Sequence, residues 1–148
     1  MSRKKSPRCN RHGCSEPPHL GGLCQQHHEE QATNERRRED TLALLHRNLV
    51  DGTVVTNPEI RDEQIHLANW WSRTCNSLNA NRRDSVLQDE AEYAVDWCIA
   101  IATSLVDEER SFRLGMPSDE SLKRHRGIFW NRFVNLEAGL MSNGVARR

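Results

Sequence analysis

"SVLQDEAEYAVDWCIAIATSLVDEERSFRLG", residues 85 to 115, is the most apolar stretch of the chain, and its reading decides the fold class. Ala91, Ala94, Cys98, Ile101 and Leu105 recur every three or four residues, and Val95, Ile99, Ala102 and Val106 widen the stripe. That period is helical, and a stripe this wide belongs to a helix buried on most of its circumference. Ser85 followed by Gln88 reads as a capping box, and Gly115 then Pro117 mark the end. "DEER", Asp107–Arg110, reads as a solvated helix face.

Working outward, "NPEIRDEQIHLANWWSRTCNSLNANRR", residues 57 to 83, opens with strong start signals. Asn57 is the N-cap, Pro58 fits the first helical position, and Glu59 faces the positive end of the dipole. Ala68, Trp71, Cys75 and Leu78 form its stripe. Cys75 and Cys98, both on apolar stripes, read as core thiols and not nucleophiles. Downstream, residues 117 to 144 take Ser118 as N-cap, with Leu122, Arg126, Phe129, Phe133, Leu136 and Leu140 in a 4-3-4-3-4 pattern. Upstream, residues 29 to 52 make a helix that is polar at first and amphipathic only from Leu42, Leu45 and Leu49, with Gly52 where it stops. Its polar half reads as a solvated connector. The expectation is an all-α chain: a bundle of about four helices over residues 31–148, behind a small zinc knuckle over residues 1–30. A short hairpin near the knuckle is the only strand pairing expected.

Charge is segregated. The formal net charge of zero over 148 residues divides into about +4 over residues 1–38, −9 over 39–120 and +5 over 121–148. Basic ends therefore flank an acidic middle. No apolar run follows the basic N-terminus, so a secretory signal is not expected. The longest apolar run, Trp97–Ala102, is far too short to span a bilayer. Five unevenly placed cysteines argue against a disulfide scaffold and for a reducing, cytoplasmic compartment.

Three of those cysteines and four of the seven histidines lie in "CNRHGCSEPPHLGGLCQQHH", residues 9 to 28. Thiolates and imidazoles bind zinc tetrahedrally, and a structural site closes its shell with four of them. The candidate ligands are Cys9, Cys14, Cys24 and His27, with His28 or His12 as alternatives to His27. Gly13 lets the backbone turn so that the Cys9 and Cys14 sulfurs face one ion. Cys24 and His27, three apart, fit one face of a first helical turn. "EPPHLGG" between the pairs is turn-rich. Four good protein ligands leave no position for a reacting water, so the site reads as structural.

Cys9, Gly13, Cys14, Pro17, Gly22, Leu23, Cys24 and His27 resemble the Cys/Gly-Cys…Gly-Leu-Cys-x-x-His knuckle of small phage proteins. The segment is also similar to the metal-binding knuckle attached to some phage HNH-type homing endonucleases. Such modules resemble a treble-clef finger: a knuckle, a loop or hairpin, then a helix carrying the last two ligands. The resemblance covers about twenty residues. It implies one structural zinc ion and a phage- or mobile-element-like protein, acting in the cytoplasm of a bacterial host. Many of these modules carry an aromatic residue after the last histidine, where this chain has His28. No His-Asn-His nuclease core follows, so nuclease chemistry is not carried over.

Three functional classes remain. In the first, the chain binds DNA or RNA through Arg3, Lys4, Lys5, Arg8, Arg11 and Arg36–Arg38, with Lys123, Arg124 and Arg126 (and Arg132, Arg147 and Arg148) as a second patch. In the second, it binds and modulates a host protein. There the acidic helices, or one of the adjacent Trp70 and Trp71, form the contact unless both rings are buried. In the third, Arg61-x4-His66 resembles the motif of HEPN ribonucleases, in which an Arg would stabilise phosphate charge and a His act as acid or base. No Gly-rich phosphate loop or paired-carboxylate site stands out, so a binding protein and not an enzyme is expected. A second copy of the chain is a further candidate partner.

Overall fold

The computed structural model describes residues 8, 9, 11, 13–19, 22–50, 52–82, 84–91 and 93–146. The chain is mostly helical: α1 (Gln25–His46), α2 (Pro58–Ala80), the short α3 (Ser85–Glu90), α4 (Ala94–Arg113) and α5 (Glu120–Ala146). Two residue pairs, β1 (Leu49–Val50) and β2 (Thr53–Val54), form an antiparallel hairpin after α1. This hairpin lies behind α1, where none was expected; beside the knuckle the described residues hold only an isolated bridge residue, Leu23. Gly52, expected to end α1, sits in this hairpin turn at φ +74°. The helix stops earlier, at His46, and Asn48 takes the left-handed conformation (φ 55°) that asparagine tolerates better than most residues.

α2 begins as its sequence implies. Asn57 caps it, its side chain accepting from the Glu59 amide at 3.0 Å, and Pro58 takes the first position. The long helix expected from residue 85 is instead two. Asp84, not Ser85, is the cap, with Oδ1 accepting from Val86 and Leu87. α3 ends at Glu90, and α4 starts at Ala94. Ala91, Ala94, Cys98, Ile101 and Leu105 are still all buried, so the stripe continues into the core across the break. α5 likewise begins on Asp119, whose carboxylate accepts from the Ser121 amide and hydroxyl, not on Ser118.

The core centres on Phe133, which is fully buried. Rings of all four tryptophans stand around it: Trp70 at 4.2 Å, Trp97 and Trp130 at 5.8 Å, Trp71 at 6.4 Å. Both Trp70 and Trp71 are buried, so neither offers an exposed ring. Their indole N–H groups are satisfied by Glu137 Oε2 at 2.7 Å and the Arg38 carbonyl at 3.1 Å. Adjacent residues of α2 can both be buried because α1 packs on one side of it while α5 delivers Phe133 and Glu137 on another.

Charges expected in solvent are folded into this core. Arg126 is 2% exposed and bonds Glu63 at 2.5 Å, Ser104 Oγ at 3.1 Å and Glu108 at 3.4 Å. Glu109, inside the stretch read as a solvated face, is also fully buried. It accepts from the Thr56 amide at 2.8 Å, the Asn57 amide at 3.1 Å and Arg113 at 3.1 Å, so it ties α4 to the start of α2. Burial pushes its carboxyl up, but the Thr56, Asn57 and Arg113 hydrogen bonds outweigh that and hold it below the usual carboxylate range. The polar half of α1 is not a free connector either. Gln31 and Arg38 are buried in it, and Glu35 pairs with Arg82 at 2.9 Å. The boundary expected at residue 30 falls inside α1, which runs unbroken from the knuckle into the bundle.

Candidate metal centre

Cys24 is the N-cap of α1 and His27 lies in its first turn. The helix starts there because the Cys24 sulfur accepts from the His27 amide at 3.5 Å, satisfying one of the orphan donors of the first turn. The loop before it is pinned by three backbone bonds: Cys9 N to Glu16 O at 2.9 Å, Cys14 N to Arg11 O at 3.1 Å, and His19 N to Leu23 O at 2.6 Å. Gly13 and Gly22 take φ of +78° and +77°, the left-handed turns that fold the loop over the helix start.

The result is convergence. One ligand atom from each of Cys9, Cys14, Cys24 and His27 lies within 4.8 Å of the others. His27 Nδ1 is 3.2 Å from both Cys9 Sγ and Cys24 Sγ, and Cys14 Sγ is 4.0 Å from Cys24 Sγ. These separations suit four donors around one ion at a little over 2 Å each. Cys9 and Cys24 are buried and Cys14 is half-buried. Burial opposes ionisation of Cys9, but amides of Cys24 and Arg11 and the His27 ring hold its thiol down to about 6. For Cys14 the Glu16 amide favours the thiolate, but burial and the Cys9 and Cys24 sulfurs push the thiol up. A shared cation removes that mutual repulsion, so the donor set fits a metal. His28, the alternative ligand, lies against His19 with ring centroids 6.3 Å apart and is not in the converging set. His12 lies outside the described residues.

The basic residues are scattered. Arg3, Lys4, Lys5, Arg147 and Arg148 lie outside the described residues. Arg38 is 4% exposed, its guanidinium donating to Gln88 at 3.2 Å, and Arg126 is buried on its two glutamates. Neither can reach a phosphate, which corrects the expectation for both. Arg11 pairs with Asp89 of α3, Arg37 with Asp96 at 3.3 Å and Lys123 with Glu120 at 3.6 Å. Arg8, Arg36 and Arg124 are exposed. Arg61 and His66 are both exposed on α2, but five residues apart places them about 140° around the helix. His66 packs on Trp130 at 4.9 Å, so the two do not converge on one site. Burial pushes the Cys75 thiol up to about 11 and the Cys98 thiol higher still, which leaves both as inert core groups.

Sequence period could not reveal the buried charges Glu108 and Glu109 or the half-buried Glu63, which bond to partners on other elements. Arg126 did carry a signal, since it sits on the apolar stripe of α5 itself. No family model, curated protein or solved structure matches the chain. Among the described residues no helix is long and apolar enough to cross a membrane.

Proposed function

We propose that Cys9, Cys14, Cys24 and His27 hold one structural Zn2+ ion, and that the chain is a zinc-stapled accessory protein of a phage or mobile element that binds nucleic acid. The convergence of three sulfurs and one imidazole nitrogen carries the metal assignment. A full set of protein donors leaves no open position, so the ion's work is to fix the knuckle. A closed shell makes the ion structural and not catalytic, and the chain as a whole is read as a binding protein. Nucleic acid as the partner is supported by the net positive charge of both end segments against an acidic middle. The test is metal content of the purified protein, with Cys24→Ser as control, followed by binding of labelled DNA and RNA at two salt concentrations. One zinc per chain, lost in Cys24→Ser, with steeply salt-dependent binding, is the expected result. A metal-free protein indifferent to Cys24→Ser would overturn the zinc assignment.

One observation favours a second reading, in which the partner is a protein. Phe112, Leu114 and Met116 are 50%, 76% and 57% exposed where α4 ends, an apolar corner of the kind that interfaces cover. On that reading Leu114→Asp abolishes capture of a host protein and leaves nucleic-acid binding untouched.

A further inference from the structure

α5 lies at the edge of the bundle, packed chiefly on α4. Its inner side carries Arg126, Phe133, Leu136 and Leu140 into the core. Its outer side presents Arg124, His125, Ile128, Asn131, Arg132 and Asn135, all exposed. Between residues 121 and 140 the one carboxylate is Glu137, and it is turned inward to the Trp70 indole. Asp96, next to Trp97 on α4, is drawn to Arg37 of α1. From Arg124 to Asn135 the outer face is thus cationic and amide-bearing, with Asp119 and Glu120 bounding it one turn before Arg124 and Glu120 paired with Lys123, in a molecule whose middle is strongly acidic.

Aromatic rings lie under it. The Arg132 guanidinium sits 5.2 Å from the Phe129 ring centroid and 5.8 Å from that of Trp97. Phe129 also packs edge-on against His125, centroids 5.1 Å apart. Both Phe129 and Trp97 are half-buried, so each keeps an accessible part. Stacking on the rings holds Arg132 extended across the face, a cation set in place before any ligand arrives. Arg124, Ile128 and Arg132 follow one another at about 6 Å of rise, one per helical turn.

We propose that this outer face of α5 is an interface for a single-stranded nucleic acid, with Arg124 and Arg132 on phosphates and bases stacked over the guanidinium, imidazole and aromatic groups. The chemistry is that of stacking platforms beside a cationic track, which favours an unpaired strand whose bases are free to stack. Charge complementarity selects the occupant, since a polyanion gains on this face and is repelled by the acidic middle of the chain. The inference rests on the nucleic-acid reading above and names the site and strand type within it.

The experiment uses the zinc-loaded full chain with fluorescein-labelled dT and U dodecamers and a dodecamer duplex, read by anisotropy. Single strands bind, and affinity falls about tenfold between 50 and 200 mM salt, as two or three phosphate contacts imply. Arg124→Glu, which disturbs no ring contact, weakens binding at least tenfold. Arg124→Glu with Arg132→Glu abolishes it while the circular dichroism spectrum is kept, and Arg36→Glu on α1 changes little. If the duplex binds more tightly than the single strands, the strand assignment is overturned. If the double reversal is silent and Arg36→Glu abolishes binding, the α5 site is wrong but nucleic-acid binding stands. If the wild type binds nothing at 50 mM salt, both fall.

Discussion

Around Phe133 the bundle buries twenty-one apolar side chains among the described residues; around Cys24 the knuckle buries three, two of them cysteines. The two regions share the continuous helix α1, yet they cannot be held by the same force. Twenty-one buried side chains supply apolar burial enough to offset chain entropy. Three do not, and a segment this short needs a cross-link or a metal. A thiol cluster beside a large apolar core is a separate folding problem with a separate solution.

Removing the metal separates the two regions outright. With the proposed zinc in place, chelation or Cys24→Ser is expected to remove a metal-binding free energy of about 10–16 kcal/mol from the knuckle. Proteases then cut before Gln25, while the near-ultraviolet dichroism of the four tryptophans stays native. Loss of the tryptophan signal on chelation would break the comparison, because it would make the bundle depend on the metal. The reciprocal experiment is Phe133→Ala. Opening the space between four indoles costs about 3–5 kcal/mol in denaturant unfolding. The knuckle of this variant still takes up one zinc under native conditions.

Two smaller effects concern single ion pairs and hydrogen bonds. Glu109 belongs to the bundle, and its folded pKa lies below the ordinary carboxylate value of about 4.3. Its contribution is therefore present above that value and lost as pH falls through the lower folded one. Melting temperature drops over that acid range, and Glu109→Gln flattens the drop while costing about 1.5–3 kcal/mol at neutral pH. Arg11 bridges the regions through its ion pair with Asp89, partly exposed. Arg11→Ala lowers bundle stability by less than about 1 kcal/mol and loosens the knuckle's docking, seen as faster amide exchange in α3.

The same division explains what the sequence disclosed. Ligand spacing is local, so Cys9, Cys14, Cys24 and His27 could be read from residue types and short intervals. The caps of α2 and the stripes of α2, α4 and α5 were legible for the same reason. What was hidden is non-local. Arg38 looks like one of three solvated arginines until Gln88, fifty residues away, accepts from it. Glu109 looks like part of a charged run until the α2 start closes over it. The α3–α4 break was hidden because Ala91 and Ala94 are both buried and keep the apolar period across the gap.

Zinc K-edge X-ray absorption on the purified chain reads the coordination shell itself. The account requires one zinc in a four-coordinate shell, three sulfurs at about 2.3 Å and one nitrogen at about 2.0 Å. A protein without zinc, or a shell rich in oxygen with a bound water, would contradict it.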